Sequence, residues 1–164
     1  MAETIIQFQN VAKSFGDKLV YESLDLSIQR GETLTIIGGS GVGKSVCLKM
    51  LIGLMRPDHG SIKAFGDDVQ ALDEKGLLRL RSRIAMLFQG AALFDSMSVE
   101  ENIKYPLIEH NWGTPGDMDK RVAEVLEMVD MPGIQKLKPA ELSGGMKKRV
   151  GLARSIAIEP EVIL

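Results

Sequence analysis

Cysteine is nearly absent: Cys47 is the only one in 164 residues. A lone thiol excludes a disulfide framework and a cysteine-based zinc site, and it suits a reducing compartment. Aromatic residues are scarce at 5%, which argues against a surface built to stack nucleobases. Neither sign of charge dominates, with 20 Lys and Arg against 22 Asp and Glu, so no overall field draws the chain to nucleic acid or anionic lipid. No apolar run has membrane-spanning length, and the start MAETIIQFQN lacks the basic residues and apolar core of a signal peptide. The expected location is the cytoplasm, with any membrane work done at its cytoplasmic face through a partner.

What is present is ordinary globular material, 45% apolar and 26% charged, in a length suited to one core. Ile5, Phe8 and Val11 lie in a β-prone run, and the Ser14–Lys18 stretch with Gly16 and Asp17 predicts a turn. Leu24, Leu26 and Ile28 alternate with polar residues, the period of a half-buried strand. Thr33 to Ile37 is a near-continuous β-prone run and predicts a strand covered on both faces. A helix is expected from about Lys44 to Leu54, stopped by Gly53 and Pro57. Ser61 to Phe65 predicts a strand, and Gly66-Asp67-Asp68 a turn. Asp73 is placed to cap a helix toward Arg83, and Ile84 to Phe88 reads as another buried strand.

From Gly90 onward the apolar period becomes helical. Val122, Val125, Leu126 and Val129 define an amphipathic helix. Another begins at Ser143 and carries Met146, Val150, Ala153 and Ala157 along one stripe, with Lys147, Lys148 and Arg149 largely outside it.

The strongest chemical signal is Gly38-Gly39-Ser40-Gly41-Val42-Gly43-Lys44-Ser45, which matches G-x-x-x-x-G-K-[ST] between an expected strand and an expected helix. Glycines let backbone wrap closely around a phosphate. Successive amides form an anion nest at a helix N-terminus, where the dipole also favours negative charge. Lys44 would neutralise the β- and γ-phosphates of ATP, and the Ser45 hydroxyl would ligate Mg²⁺. The bland alternative is a glycine-rich turn joining a strand to a helix. A second anion site is expected at Ser143, which caps its helix while Gly144 and Gly145 leave the first amides uncovered. That feature by itself is also compatible with a plain capped helix.

With these motifs the sequence resembles the ATP-binding cassette (ABC) ATPases along its whole length. Phe15 stands where those proteins place an aromatic residue that stacks on adenine. Met86-Leu87-Phe88-Gln89 is similar to the Q-loop, whose glutamine approaches Mg²⁺ and the γ-phosphate and senses the transmembrane partner. Leu142-Ser143-Gly144-Gly145-Met146 is similar to the family's signature motif. The resemblance implies an α/β P-loop NTPase fold, an ABC ATPase core with an N-terminal antiparallel β-subdomain and a helical subdomain, incomplete at the C-terminus. The implied division is residues 1–89 for the nucleotide-binding core, 90–141 for the helical subdomain, and 142–164 for the signature helix and the start of the Walker B strand. It also implies a homodimer with two shared ATP sites, each closed by Ser143, Gly144, Gly145 and Met146 of the other copy. Implied nucleotide contacts on the P-loop side are Phe15, Gly38 to Ser45, Val46 and Gln89, with Ser45 and Gln89 near the metal.

Bland readings stand beside several of these. Phe15 is also placed to cover the edge of a β-subdomain, and Gln89 to be an ordinary strand-end amide, although for both the nucleotide role is the favoured reading. Cys47 reads as a small core residue, and His59 and His110 as loop or surface residues.

Two residues depart from the family pattern. Val46 stands where most relatives carry a second hydroxyl, leaving only its amide to reach the α-phosphate. Met146 stands where glutamine is usual. That methionine, the run Gly90 to Val99, Glu101-Asn102-Ile103 and Tyr105-Pro106-Leu107 are similar to the ATPases of Mla-type, MCE-associated phospholipid transporters. The implied partners are an integral-membrane permease, with Tyr105 to Leu107 as a candidate contact, and an MCE-type lipid-binding subunit; no nucleic acid is expected.

Glu161 to Leu164 is similar to the opening of a Walker B strand, and the family's Walker B aspartate and catalytic glutamate would follow residue 164. The expectation is a chain that binds ATP without turning it over, with no catalytic residue inside it and with apolar surface exposed. The alternative is an ABC-type ATPase acting on nucleic acid or ribosomes. Those usually carry long coiled-coil or zinc insertions or join two cassettes, whereas the interval from Gln89 to Leu142 is short, helical and without cysteine pairs. A third reading is a nucleotide-binding fragment without activity.

Overall fold

The computed structural model describes residues 3–164, which form two compact units, one ending at Arg81 and one beginning at Ser82. In the first, strands β1 (Thr4–Phe15) and β2 (Lys18–Gln29) make an antiparallel hairpin around a two-residue turn at Gly16 and Asp17, shorter than the expected Ser14–Lys18 because Ser14 pairs with Leu19 and Phe15 with Lys18. Strands β3 (His59–Ala64) and β4 (Asp67–Asp68) extend it to a sheet of order β2-β1-β3-β4. Register sets Phe8 opposite both Leu26 and Ile62, and Ile6 opposite Ala64. Ile6, Phe8, Val11, Ile62 and Ala64 are therefore buried together, each large side chain adding about 1.5–3 kcal/mol of apolar burial. Leu24, Leu26 and Ile28 are half-buried, as their alternation requires.

Helix α1 (Lys44–Leu51) buries Cys47, Met50 and Leu51. It closes at Ile52 and Gly53, whose carbonyls accept hydrogen bonds from the Arg81 guanidinium at 3.0 and 3.3 Å. Arg81 belongs to α2 (Glu74–Arg83), which Asp73 starts by accepting the Gly76 N–H at 2.7 Å.

Two expectations fail in this unit. Asp67 and Asp68 are strand, not turn, because Phe65 and Gly66 already reverse the chain and Asp68 pairs with Lys63. Thr33 to Ile37 forms no strand. A strand exists only through a ladder with a neighbour, and no described residue pairs with this run. Leu34, Ile36 and Ile37 are consequently exposed, Ile37 at 89%.

The second unit is mainly helical. Strand β5 (Ile84–Ala85) is shorter than the expected Ile84 to Phe88, since its parallel partner β6 (Val162–Ile163) matches only two residues. Helices α3 (Val99–Glu109), α4 (Pro115–Met128) and α5 (Gly144–Ile156) then pack together. Their shared core holds Val99, Ile103, Leu107, Val122, Val125, Leu126, Val150, Ala153 and Ala157. Both α3 and α4 open on a reciprocal capping box, Ser98 with Glu101 and Thr114 with Asp117. Buried Arg121 donates to the Ala157 and Ile156 carbonyls, each at 3.0 Å, and so closes the C-terminal end of α5, where the dipole favours a cation. Among the described residues no helix is long and apolar enough to cross a membrane.

Candidate functional site

The loop Gly38–Gly43 runs into α1 with Gly41 at φ +79° and Gly43 at φ +108°. Gly43 has a second reason to be glycine: a Cβ there would lie 2.6 Å from Val20 Cγ1 and 3.0 Å from the Tyr21 hydroxyl. Among the described residues, the backbone N–H groups of Gly38 to Ser45 have no acceptor. Unsatisfied donors leading into a helix N-terminus are what an anion requires. Lys44 folds back over the loop and donates to the Gly38 and Gly39 carbonyls, each at 2.7 Å. The loop thus brings one cation and a row of free amides to the same few atoms, and the donor set fits a polyphosphate.

Ser45 is exposed at the start of α1, its hydroxyl without a protein partner among the described residues. Val46 behaves differently from expectation. Its N–H donates to the Gly43 carbonyl at 2.7 Å, inside the first turn, and is not free for a phosphate.

Strand β2 braces this loop through residues that sequence reasoning missed. The Tyr21 hydroxyl donates to the Gly43 carbonyl at 2.9 Å, and Lys18 reaches the Gly41 carbonyl at 3.5 Å. Burial, and then the neighbouring Cys47, raise the Tyr21 pKa. Cys47 is a buried core residue as expected, and burial pushes its thiol up to about 11. No local pattern in the sequence announces these contacts, because they join residues far apart in the chain. Phe15 pairs with Lys18 in the hairpin register, so its half-exposed ring stands beside the residue that touches the loop. Lys13 lies 5.4 Å from that ring centroid and bonds Asp58 at 2.6 Å, which holds the Asp58 carboxyl below its usual range.

The remaining site residues belong to the second unit. Ser143 caps α5 by accepting the Met146 N–H at 3.2 Å. Gly144 and Gly145 are exposed, and a Cβ at Gly144 would meet nothing within 4 Å. Gln89 is exposed at the centre of a turn closed by the Ala91 N–H on the Phe88 carbonyl at 2.9 Å. In the Tyr105-Pro106-Leu107 stretch only Tyr105 is exposed; Leu107 is core and is unavailable to a partner.

The sequence profile of the ABC transporter family matches residues 21–164. The chain belongs to the ABC transporter family. It is 38% identical, over 98% of its length and 60% of the relative's, to the intermembrane phospholipid transport system ATP-binding protein MlaF of Escherichia coli (strain K12). It is 42% identical, over 97% of its length and 46% of the relative's, to the probable ribonucleotide transport ATP-binding protein mkl of Mycobacterium leprae (strain TN). The chain therefore spans about half to three-fifths of the length of these curated relatives. Its fold superposes with TM-score 0.87 and 30% identity on the dimeric, post-hydrolysis structure of the ATP-binding cassette MJ0796 bound to ADP and Pi, covering 97% of this chain and 72% of that one. These matches agree with the ABC fold class and with the ABC resemblance read from the motifs.

Proposed function

We propose that this chain binds ATP with Mg²⁺ and is part of a subunit that drives an ABC transporter by ATP hydrolysis. The observation that carries the reading is the loop Gly38–Ser45, with its free amides and the Lys44 cation gathered at one helix N-terminus. Gly38 to Ser45 would hold the β- and γ-phosphates, Ser45 and Gln89 the Mg²⁺, and Phe15 the adenine ring. ATP supplies the reactive phosphoanhydride, and the protein's task is positioning and charge stabilisation. Ser143, Gly144, Gly145 and Met146 of a second copy would complete each site, giving a homodimer with shared nucleotides.

The same reading places the subunit at the cytoplasmic face of a membrane, on an integral-membrane permease and, through the Mla-type likeness, beside an MCE-type lipid-binding subunit. The cargo is then a phospholipid or another hydrophobic molecule. The likeness to MlaF and the run Gly90 to Val99 support this.

Calorimetric titration with Mg²⁺-ATP tests the central claim. Wild-type chain should bind, and Lys44→Ala should weaken affinity at least about tenfold, since a charge-assisted contact to phosphate is lost. Equal affinity in the two proteins overturns the assignment of the loop.

A further inference from the structure

The segment that follows Gln89 is held in an unusual way. Ala91 and Ala92 both adopt positive φ, 63° and 47°. Alanine rarely takes that conformation, and two in succession persist only where the surroundings enforce them. The enforcing group is on α5. Arg154 donates one guanidinium nitrogen to the Ala92 carbonyl at 2.9 Å and another to the Ala91 carbonyl at 2.7 Å. Its planar fork suits two acceptors side by side, and its Cζ lies 5.7 Å from the Phe94 ring centroid. Three residues earlier on the same helix, Gly151 provides the clearance. A Cβ there would stand 2.8 Å from Ala91 Cβ and 3.1 Å from Ala91 Cα, so no other residue lets the segment lie this close.

The far end of the segment is fastened separately. Asn102 on α3 is fully buried, accepts the Phe94 N–H at 2.8 Å and donates to the Phe94 and Ser98 carbonyls at 3.1 and 2.9 Å. The end held by Arg154 is the one that adjoins Gln89. The turn containing Gln89 is closed by the Ala91 N–H, and the Ala91 carbonyl is the group Arg154 holds at 2.7 Å.

We propose that Arg154 is a positioning residue for Gln89: it clamps the Gln89 turn to α5, so that this glutamine and the Ser143 end of the same helix are displaced as one body. Its consequence for nucleotide rests on the reading given under Proposed function. Ser143 lies roughly three turns along α5 from Arg154, a rigid distance in a helix of this length. A nucleotide engaging either end would therefore bias the other without any further contact between them.

Amide hydrogen exchange on the nucleotide-free chain tests the clamp. In Arg154→Gln the Ala91 amide should exchange at least about tenfold faster, while the Phe94 amide, held by Asn102, keeps its wild-type rate. Arg154→Lys retains the charge but not the fork, and should fall between the two. An unchanged Ala91 rate overturns the clamp, and so does equal acceleration along the whole of α5, which would mark general loosening. A second measurement asks what the clamp is for: Arg154→Gln and Gln89→Ala should each blunt the dependence of ATP affinity on Mg²⁺, and no more in combination than singly. Wild-type Mg²⁺ dependence in Arg154→Gln overturns the positioning role. Failure of the wild-type chain to bind Mg²⁺-ATP would instead overturn the nucleotide reading, with the exchange result still deciding the clamp.

Discussion

Residues 33–37 and the helical bundle of the second unit hold similar apolar side chains in opposite circumstances. In the bundle, Val125, Leu126 and Val150 are buried on helices whose interior backbone groups bond within their own segment, the ends being closed by side chains such as Thr114, Ser143 and Arg121. At 33–37, Leu34, Ile36 and Ile37 face outward, and the backbone has no ladder partner among the described residues. The difference is one of bookkeeping range. A helix makes its hydrogen bonds four residues away and needs a neighbour only for its apolar stripe. An extended run needs a neighbour for its hydrogen bonds as well, and without one it has neither ladder nor cover. Apolar content alone therefore says little about where burial occurs.

Substitutions can break or sharpen this contrast. Leu126→Ala should cost about 2–5 kcal/mol in urea unfolding through the cavity it leaves, whereas Ile37→Ser should stay within about 0.5 kcal/mol. Comparable losses at both positions would mean that residues 33–37 are covered in solution. Arg121→Ala should cost about 2–4 kcal/mol, because two carbonyls at the end of α5 lose their donor in a buried place. The same melts read this, and a loss below about 0.5 kcal/mol would show that water replaces the guanidinium. Ser98→Ala should cost less than either core change, about 1 kcal/mol, by removing the cap of α3.

That last variant also has a pH signature. The Ser98 N–H, and then its hydroxyl, hold the Glu101 carboxyl below its ordinary value of 4.5. A depressed carboxyl stabilises the fold above the unfolded pKa, and its contribution fades as pH falls through the folded one. Wild-type stability should thus decline below about pH 4.5 more steeply than that of Ser98→Ala. Parallel curves would remove the capping box from the account.

What the sequence reveals follows the same division by range. The spacing of Val122, Val125, Leu126 and Val129 locates α4, and the stripe Val150, Ala153 and Ala157 locates α5, because both signals are local. The start of α3 is written in Ser98-x-x-Glu101, but Pro106 within the helix counts against it and hides the element from a periodic reading. The phosphate loop is legible for the same reason as the helices: all its parts are consecutive. The braces from Lys18 and Tyr21, the Arg121 cap and the double bond from Arg154 are not legible, since each joins positions that only the fold brings together. The expected free amide at Val46 fails through a smaller effect, the closing of a helix's first turn.

Cys47 began as a scarcity and ends as an instrument. It is the only thiol, it sits two residues beyond Ser45, and it is 4% exposed with a pKa of about 11. A protonated, covered thiol reacts slowly with alkylating reagents. Every labelling event on this protein therefore times an opening of the junction between phosphate loop and α1, with no competing site to subtract. The unmodified sequence carries its own single-address chemical clock, and a ligand that closes the loop should slow it.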